Sequence, residues 1–587
     1  MARLDPHSYN DDTQVETEAL ALTARVDFST RTLHAEVLLT FRVPGGGALD
    51  LDTRDLAIDA VADQDGRPLD FLLHPAEPIL GARLAISLPP GTRAVRIRYR
   101  TSPDASALQW LDPAQTSSGR HPFLFSQCQA IHARSVAPLQ DTPRVRIRYT
   151  AELAIPRALR AVVAAAPGER TEDGDTAIER YAMPQPIPPY LLAFAVGELA
   201  SRELSPRSRV WAEPAVLDRA AHEFAGVEEM IGAAEGLFGP YDWDRFDLLV
   251  LPPSFPYGGM ENPRLTFVTP TAIAGDRSLV SLIAHELAHS WTGNLVTNAN
   301  AEHFWLNEGF TVYAERRIVE ALWGTDAAVL HAALGRRDLD EEVARFARTP
   351  ELTRLRTHLA GVDPDDAFSR VPYEKGYFFL RALEEAAGKD AFSRWLRRYL
   401  DAFRFRAITT DDFTAHLERE LPGALAAVDA PRWLHGEGVP DNAPRPRSER
   451  LAGIERLAGA LPAGDVVRGW SPTEWQLYLE SVPRPAPAEH LRALDERFAL
   501  SASTNYEVLV TWLVLALRSG YHAVLPRAEE VLRSVGRMKF LRPLYLALAS
   551  DPHTRADASR IFEQAAAGYH PIARQVIEGV LREPPAA

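Results

Sequence analysis

A single cysteine, Cys128, stands in 587 residues. One thiol cannot close an intramolecular disulfide, so the fold requires no oxidising compartment. Long apolar runs are equally scarce. The longest, Val508 to Leu517, spans ten residues, contains Thr511 and stops at Arg518. That is about half of the roughly 20 residues a membrane span needs. The start of the chain, Met1-Ala2-Arg3-Leu4-Asp5-Pro6, has no apolar stretch of the kind that directs secretion. Basic runs are missing too. Lys and Arg number 64 against 79 Asp and Glu, a formal net charge of -15. Such a chain repels phosphate backbones unless a basic patch intervenes, and no Lys/Arg-rich run supplies one. Nucleic acid and membrane are therefore not expected as partners. A cytoplasmic monomer is expected, with a substrate that can carry positive charge. What is present is the ordinary globular mix, 46% hydrophobic and 24% charged. The length corresponds to about three or four domains.

Periodicity divides the chain. In the first third, Leu33, Ala35, Val37, Leu39, Phe41 and Val43 alternate with mostly polar partners, as do Val145, Ile147, Tyr149, Ala151, Leu153 and Ile155. Period two predicts antiparallel strands of a saddle or sandwich, one face buried. Gly45-Gly46-Gly47 and Pro89-Pro90-Gly91 punctuate them. A proline cluster precedes an expected strand from Tyr190 to Val196, and the β region is expected to end near Ser205-Pro206. The middle third turns helical, with Asp276 or Ser278 placed to cap the first helix. Further helices are predicted over Glu308–Leu322, Tyr377–Ala387, Ala391–Phe403 and Thr410–Leu421. A Gly/Pro-rich stretch follows, and then an Ala/Leu/Arg-rich region opening on the capping box Ser471-Pro472-Thr473-Glu474. The expected domains are 1–205 (β), 206–440 (catalytic), a linker 441–448 and 449–587 (helical, solenoid-like).

The strongest local signal is His285-Glu286-Leu287-Ala288-His289. On a helix, positions i and i+4 share a face, so both imidazoles reach one ion. Glu286 beside them is free to take a proton from water. A catalytic zinc needs a third ligand and one open position. Glu308, in Trp305-Leu306-Asn307-Glu308, supplies that ligand on the next predicted helix. Glu315, two turns on, could accept the second N–H of a ligand histidine. Seventeen histidines in this length predict only about 0.03 chance occurrences of the five-residue pattern. Ahead of it lies Tyr257-Gly258-Gly259-Met260-Glu261-Asn262. Its glycines let backbone approach a ligand, and its glutamate can hold a cation.

Together these motifs resemble the zinc aminopeptidases, and within them the leukotriene A-4 hydrolase and aminopeptidase B branch. Pro252-Pro253-Ser254-Phe255-Pro256-Tyr257, Ser290-Trp291-Thr292-Gly293-Asn294, Val371-Pro372-Tyr373-Glu374-Lys375-Gly376, Gln127-Cys128-Gln129-Ala130-Ile131-His132 and Gly536-Arg537-Met538-Lys539-Phe540 carry the resemblance further. It implies a multidomain α+β fold: a β saddle, a thermolysin-like, mostly helical catalytic domain and a helical C-terminal domain. It implies one Zn2+ on His285, His289 and Glu308, with Glu286 and Tyr373 catalytic. Substrate would be bound by Gln127, Gln129, Tyr257, Gly258, Gly259, Met260, Glu261, Asp365, Arg537 and Lys539. Glu261 would take the α-amine of a short peptide, and Arg537 with Lys539 its carboxylate. Two positions depart from the leukotriene hydrolase. Phe368 stands where that enzyme has a second tyrosine, and Ala301 where it has a tryptophan.

The function expected is a zinc-dependent aminopeptidase acting on short peptides. The alternative is a lipid epoxide hydrolase, as sole or second activity, with Asp365 directing water. An inactive scaffold would have lost a ligand or Glu286, and an endopeptidase would not carry the amine-binding motif.

Overall fold

The alternating segments become strands, and the alternation is read out in burial. In the computed structural model, which describes residues 3–582, Leu33, Ala35, Val37, Leu39 and Phe41 are buried on one face of the strand Thr32–Thr53. Met1, Ala2 and residues 583–587, the ends of the expected first and last domains, lie outside the described residues. Thr17–Asp27 and Ala82–Arg100 flank that strand, both antiparallel to it, in an eight-stranded sheet. One pairing departs from expectation: Thr17–Asp27 runs parallel to Ile147–Pro156. A long excursion through other strands joins these two, so no hairpin dictates their direction. The Gly45 and Pro89 clusters do not end strands either. They face each other inside the two long strands, where the register slips between Thr40 and Gly45 and between Gly45 and Gly47. Glycine and proline weaken the ladder locally, and a bulge absorbs the fault. Of the expected strand after the prolines, Pro189–Leu191 is a 3-10 turn and Phe194–Gly197 alone pairs.

Ser205-Pro206 marks a hairpin turn rather than the end of β structure. Ala200–Ser205 and Ser208–Ala212 pair across it. Their sheet continues through Asp247–Val250 and Leu265–Val268 to an edge strand, Gly259–Met260. The helices then follow as Val280–Ala288, Trp305–Trp323, Val371–Ala387, Lys389–Ala402 and Thr410–Glu420. Neither Asp276 nor Ser278 caps the first. Leu279 is its N-cap, and Asp276 accepts from the Ser278 N–H at 3.0 Å one turn upstream. Ser471 and Glu474 do exchange both capping-box bonds, and Arg450 pairs with Glu474 at 2.6 Å.

Three apolar clusters form the core, one under the first sheets, one around the middle helices and one among the C-terminal helices. Polar ties fix the first cluster's region to the second. Arg146, buried, donates to the Asn294 carbonyl at 2.6 Å and to the Thr297 hydroxyl at 3.0 Å. The third region reaches the second through backbone. The Gly536 N–H donates to Pro253 O at 2.8 Å and the Met538 N–H to Pro256 O at 2.9 Å.

Helices Trp305–Trp323 and Val371–Ala387 cross at Gly309 and Gly376. A Cβ on either glycine would stand 2.7 Å from the other's Cα. Packed carbons do not approach so closely, so the crossing needs glycine on both helices. It sets Glu308, next to Gly309, against Tyr373, one turn before Gly376. Gly376→Val is expected to destabilise the protein by about 1–3 kcal/mol. The readout is the midpoint of denaturant unfolding; an unchanged midpoint would mean the crossing tolerates a side chain.

Candidate active site

His285 and His289 leave one face of the helix Val280–Ala288, with ring centroids 4.8 Å apart. Glu308 enters from the first turn of the helix Trp305–Trp323. Its Oε2 lies 3.4 Å from Nε2 of His285 and 3.6 Å from Nε2 of His289. That oxygen is buried without a hydrogen-bond partner. Two imidazole nitrogens and an orphaned carboxylate oxygen, all within 4.8 Å of one another, could supply three donors to a tetrahedral metal ion and leave one position open.

The far side of each ring is held. Nδ1 of His285 lies 3.1 Å from Oε2 of Glu315. Nδ1 of His289 lies 3.1 Å from both the Thr292 carbonyl and the Thr311 hydroxyl. Carboxylate and carbonyl accept, so Nδ1 carries the proton and Nε2 keeps its lone pair toward Glu308, the tautomer a ligand needs. Burial pushes the His289 pKa down to about 4, keeping it neutral. At His285 burial opposes the charge, but Glu308 and Glu315 outweigh it and raise the pKa. A metal ion takes the place of that proton.

Glu286 lies between the histidines and turns toward the edge strand. A Cβ on Gly259 would be 2.2 Å from its Oε1. Glu261, buried, follows directly after the edge strand Gly259–Met260. Gln129 donates to its Oε1 at 3.3 Å, and the Asn294 amide donates to its carbonyl at 2.7 Å. Burial, then Glu308 and Glu286, push Glu261 up to about 8. Burial pushes Glu286 up to about 8 as well, with His285 opposing and Glu308 adding. Carboxylates crowded out of water in this way gather cations.

Tyr373, in the first turn of the helix Val371–Ala387, stacks on His285 at 6.1 Å, and burial, then the nearby Glu308, raise the pKa of its hydroxyl. Behind it, one guanidinium nitrogen of Arg316 donates to both oxygens of Glu374 at 2.9 Å, locking the two helices. Arg537 is buried, close against Gly258. It donates to Glu507 at 3.2 Å, while its Nε is buried and unpartnered. Lys539 reaches the other oxygen of Glu507 at 2.7 Å. Burial opposes ionisation of Glu507, but Lys539 and Arg537 hold its pKa down at about 2. Gln127 donates to the Gln129 carbonyl at 3.3 Å, leaving its own Oε1 buried and free. Met260 packs into the first apolar cluster. Phe368, 43% exposed, packs its ring on Tyr373 and Tyr257. Asp365, on the same loop, meets His132 at 2.9 Å.

Every residue selected from the sequence borders one cavity of about 860 Å³. Thr311, Glu507 and the Arg316–Glu374 pair were not among them. Thr311 had a signal, standing one helical turn after Glu308. Glu507 had none, since only folding brings it to Arg537.

Three stretches match family models: the Peptidase M1 N-terminal domain over residues 5–191, the Peptidase family M1 domain over 223–433, and the Leukotriene A4 hydrolase C-terminal region over 470–581. The chain is 40% identical to a leukotriene A-4 hydrolase of Xenopus laevis, over 98% of each chain. It is 38% identical to a leucine aminopeptidase 2 of Yarrowia lipolytica, over 98% of this chain and 93% of that one. Among solved structures, yeast LTA4 hydrolase in complex with bestatin superposes with a TM-score of 0.92 at 33% identity, covering 99% of this chain and 98% of that one.

The Gly259–Glu286 contact yields a test. Gly259→Ala is expected to lower turnover by tenfold or more, about 1.4 kcal/mol, with bound metal unchanged. Wild-type turnover would show that Glu286 has room to spare.

Proposed function

We propose, for a chain that belongs to peptidase family M1 and is a zinc-dependent aminopeptidase, that His285, His289 and Glu308 hold one Zn2+ and that Glu286 and Tyr373 do the proton and hydrogen-bond chemistry. The orphaned oxygen of Glu308 between the two Nε2 atoms supports the ligand set. The ion, when bound, supplies a Lewis acid for the scissile carbonyl and makes water a stronger acid. Glu286, buried and of raised pKa, takes the proton of the attacking water and returns it to the leaving amine. Tyr373 donates its hydroxyl to the developing oxyanion.

The observation that carries the exopeptidase reading is the reach of Glu261. It offers an oxygen within 4.8 Å of ligand atoms on both Glu286 and His289. A carboxylate there accepts a free α-ammonium, with Gln129 and Glu308 beside it. It also fixes how far the scissile bond lies from the metal. Gly258, Gly259 and Met260 offer edge-strand backbone to the peptide, with Gln127 and Tyr257 along the wall. Arg537 takes the carboxylate of a short peptide through its unpartnered Nε, Lys539 assists, and Glu507 holds both cations in place. Asp365 faces the N-terminal side chain and suits Arg or Lys. The protein acts as a cytoplasmic monomer. Among the described residues no helix is long and apolar enough to cross a membrane. The domain limits 1–205, 206–440 and 449–587, with the linker 441–448, remain our division; the apolar clusters follow it in outline, but the first takes in Trp243 to Phe267, the third Leu330 and Ala333, and the first limit falls within a hairpin.

The likeness to a leukotriene A-4 hydrolase and the position of Asp365 favour one second reading, hydrolysis of a fatty epoxide. Phe368 and Ala301 leave that reaction without the phenol hydroxyl and the indole ring of that enzyme. Product analysis after incubation with a fatty epoxide decides it; absence of diol confines the enzyme to peptides.

The peptidase is tested by release of chromophore from Ala, Leu, Pro, Arg and Lys anilides, with and without a zinc chelator. Chelator-sensitive turnover is expected. Glu286→Gln is expected to lower kcat by about 10²–10⁴ while zinc content stays at one per chain; an active, zinc-loaded variant would sink the mechanism. Arg537→Ala is expected to raise KM for tripeptides by about tenfold, with a smaller effect on anilides, which carry no carboxylate. Equal effects on both substrates would remove Arg537 from carboxylate binding.

A further inference from the structure

His132, outside the machinery above, joins the first β region to the loop that carries Asp365. Its Nε2 lies 2.9 Å from Oδ2 of Asp365. Its Nδ1 lies 3.0 Å from Nη1 of Arg54 and 2.8 Å from the Ser106 hydroxyl. A guanidinium only donates. Nδ1 therefore accepts, the ring proton sits on Nε2, and it is donated to Asp365. Protonating Nδ1 would turn an N–H against the arginine's N–H and a positive ring against a positive guanidinium. The imidazole thus orients the carboxylate without neutralising it.

Both partners are held from behind. His132 is buried at the start of the 3-10 turn Ala133–Ser135. In that turn Arg134, fully buried, is 2.9 Å from Asp141 and 3.8 Å from Asp52. Arg54 donates its backbone N–H to Arg134 O at 2.9 Å, and its guanidinium to the Ile79 carbonyl. On the loop, the Asp365 N–H donates to Asp363 at 3.0 Å. His7 bonds the carbonyls of Leu359 and Val362 at 3.0 and 2.9 Å. His570, buried beside the pair, adds no charge, since burial holds its pKa at about 3. Asp365 itself borders the cavity, with about a third of its side chain exposed, and among the described residues nothing donates to its Oδ1.

We propose that His132 is a positioning residue for side-chain specificity: it aims one oxygen of Asp365 at the N-terminal side chain of a bound peptide, selecting Arg and Lys. The inference rests on Asp365 as the side-chain site and adds that the N-terminal β region, through Arg54 and His132, sets its direction.

The test compares kcat and KM on Arg, Lys and Ala anilides for zinc-loaded wild type, His132→Phe, His132→Gln and Asp365→Asn. His132→Phe is expected to lower kcat/KM for Arg and Lys roughly tenfold, chiefly through KM, with Ala within about twofold of wild type. His132→Gln, whose amide N–H stands in for Nε2–H, is expected to recover most of the Arg/Ala ratio. Asp365→Asn should lower that ratio at least as far. If Asp365→Asn collapses the ratio and His132→Phe leaves it at the wild-type value, the positioning role is overturned and the Asp365 reading survives. Equal losses on Arg and Ala in His132→Phe also overturn it, as a general structural effect. An unchanged ratio in Asp365→Asn overturns both readings.

Discussion

Four carboxylates, Glu261, Glu286, Glu308 and Glu315, converge out of water at one end of a cavity, and the surrounding architecture answers that crowding. Like charges at such spacing cannot all ionise unless cations join them. Glu308 and Glu315 are drawn to imidazoles, whereas Glu261 and Glu286 are left with pKa values raised to about 8. Their inequality divides the labour. Carboxylates paired with imidazoles are held as anions and suit a metal. A carboxylate that is close to gaining a proton suits proton transfer or capture of an ammonium.

Holding such a cluster needs rigid backbone, and the cheapest rigid device available is close contact between main chains. The Gly309–Gly376 crossing does this for Glu308 and Tyr373. The edge strand does it for Gly259 against Glu286. Two hydrogen bonds from Gly536 and Met538 do it for Arg537, pinning the residue's own backbone on both sides to the segment that leads into Tyr257. The first and last of these contacts are main chain to main chain, whereas at Gly259 the strand backbone packs on the Glu286 carboxylate. A buried guanidinium supported only by its side-chain torsions would lose far more freedom on binding a carboxylate.

Local signals were legible to the extent that the chemistry is local. Helical spacing put His285 and His289 on one face, and the capping box at Ser471 marked the start of the helix Pro472–Ser481. Period two found the long strands, but not that one pair runs parallel, because alternation carries no strand direction. Gly45 and Pro89 looked like stops, since composition cannot tell a turn from a bulge whose partner strand carries a matching fault. Asp276 looked like a cap, yet its oxygen is taken by the nearer N–H of Ser278. The missed groups share one property: they act through partners distant in sequence. Glu507 meets Arg537, Arg316 meets Glu374, and Arg54 meets His132 only once the region that holds each pair has folded. A single sequence gives no measure of such distances.

The arrangement of charge along the cavity then supports the proposed recognition of both ends of a short peptide. The anionic end, at Glu261 and the metal donors, belongs to the middle region. The cationic end, at Arg537 and Lys539, comes from the C-terminal helices. Glu507 tempers that cationic end, with its pKa held down at about 2 by Lys539 and Arg537. Without it, the buried Arg537 guanidinium and the exposed Lys539 ammonium would have no anion between them. With it, the pair carries a net charge of about one unit, enough to match a single carboxylate. A substrate with ammonium at one end and carboxylate at the other therefore fits the field of the cavity as well as its shape. The separation between the two ends is set by how the C-terminal region docks, through Gly536 and Met538, on Pro253 and Pro256.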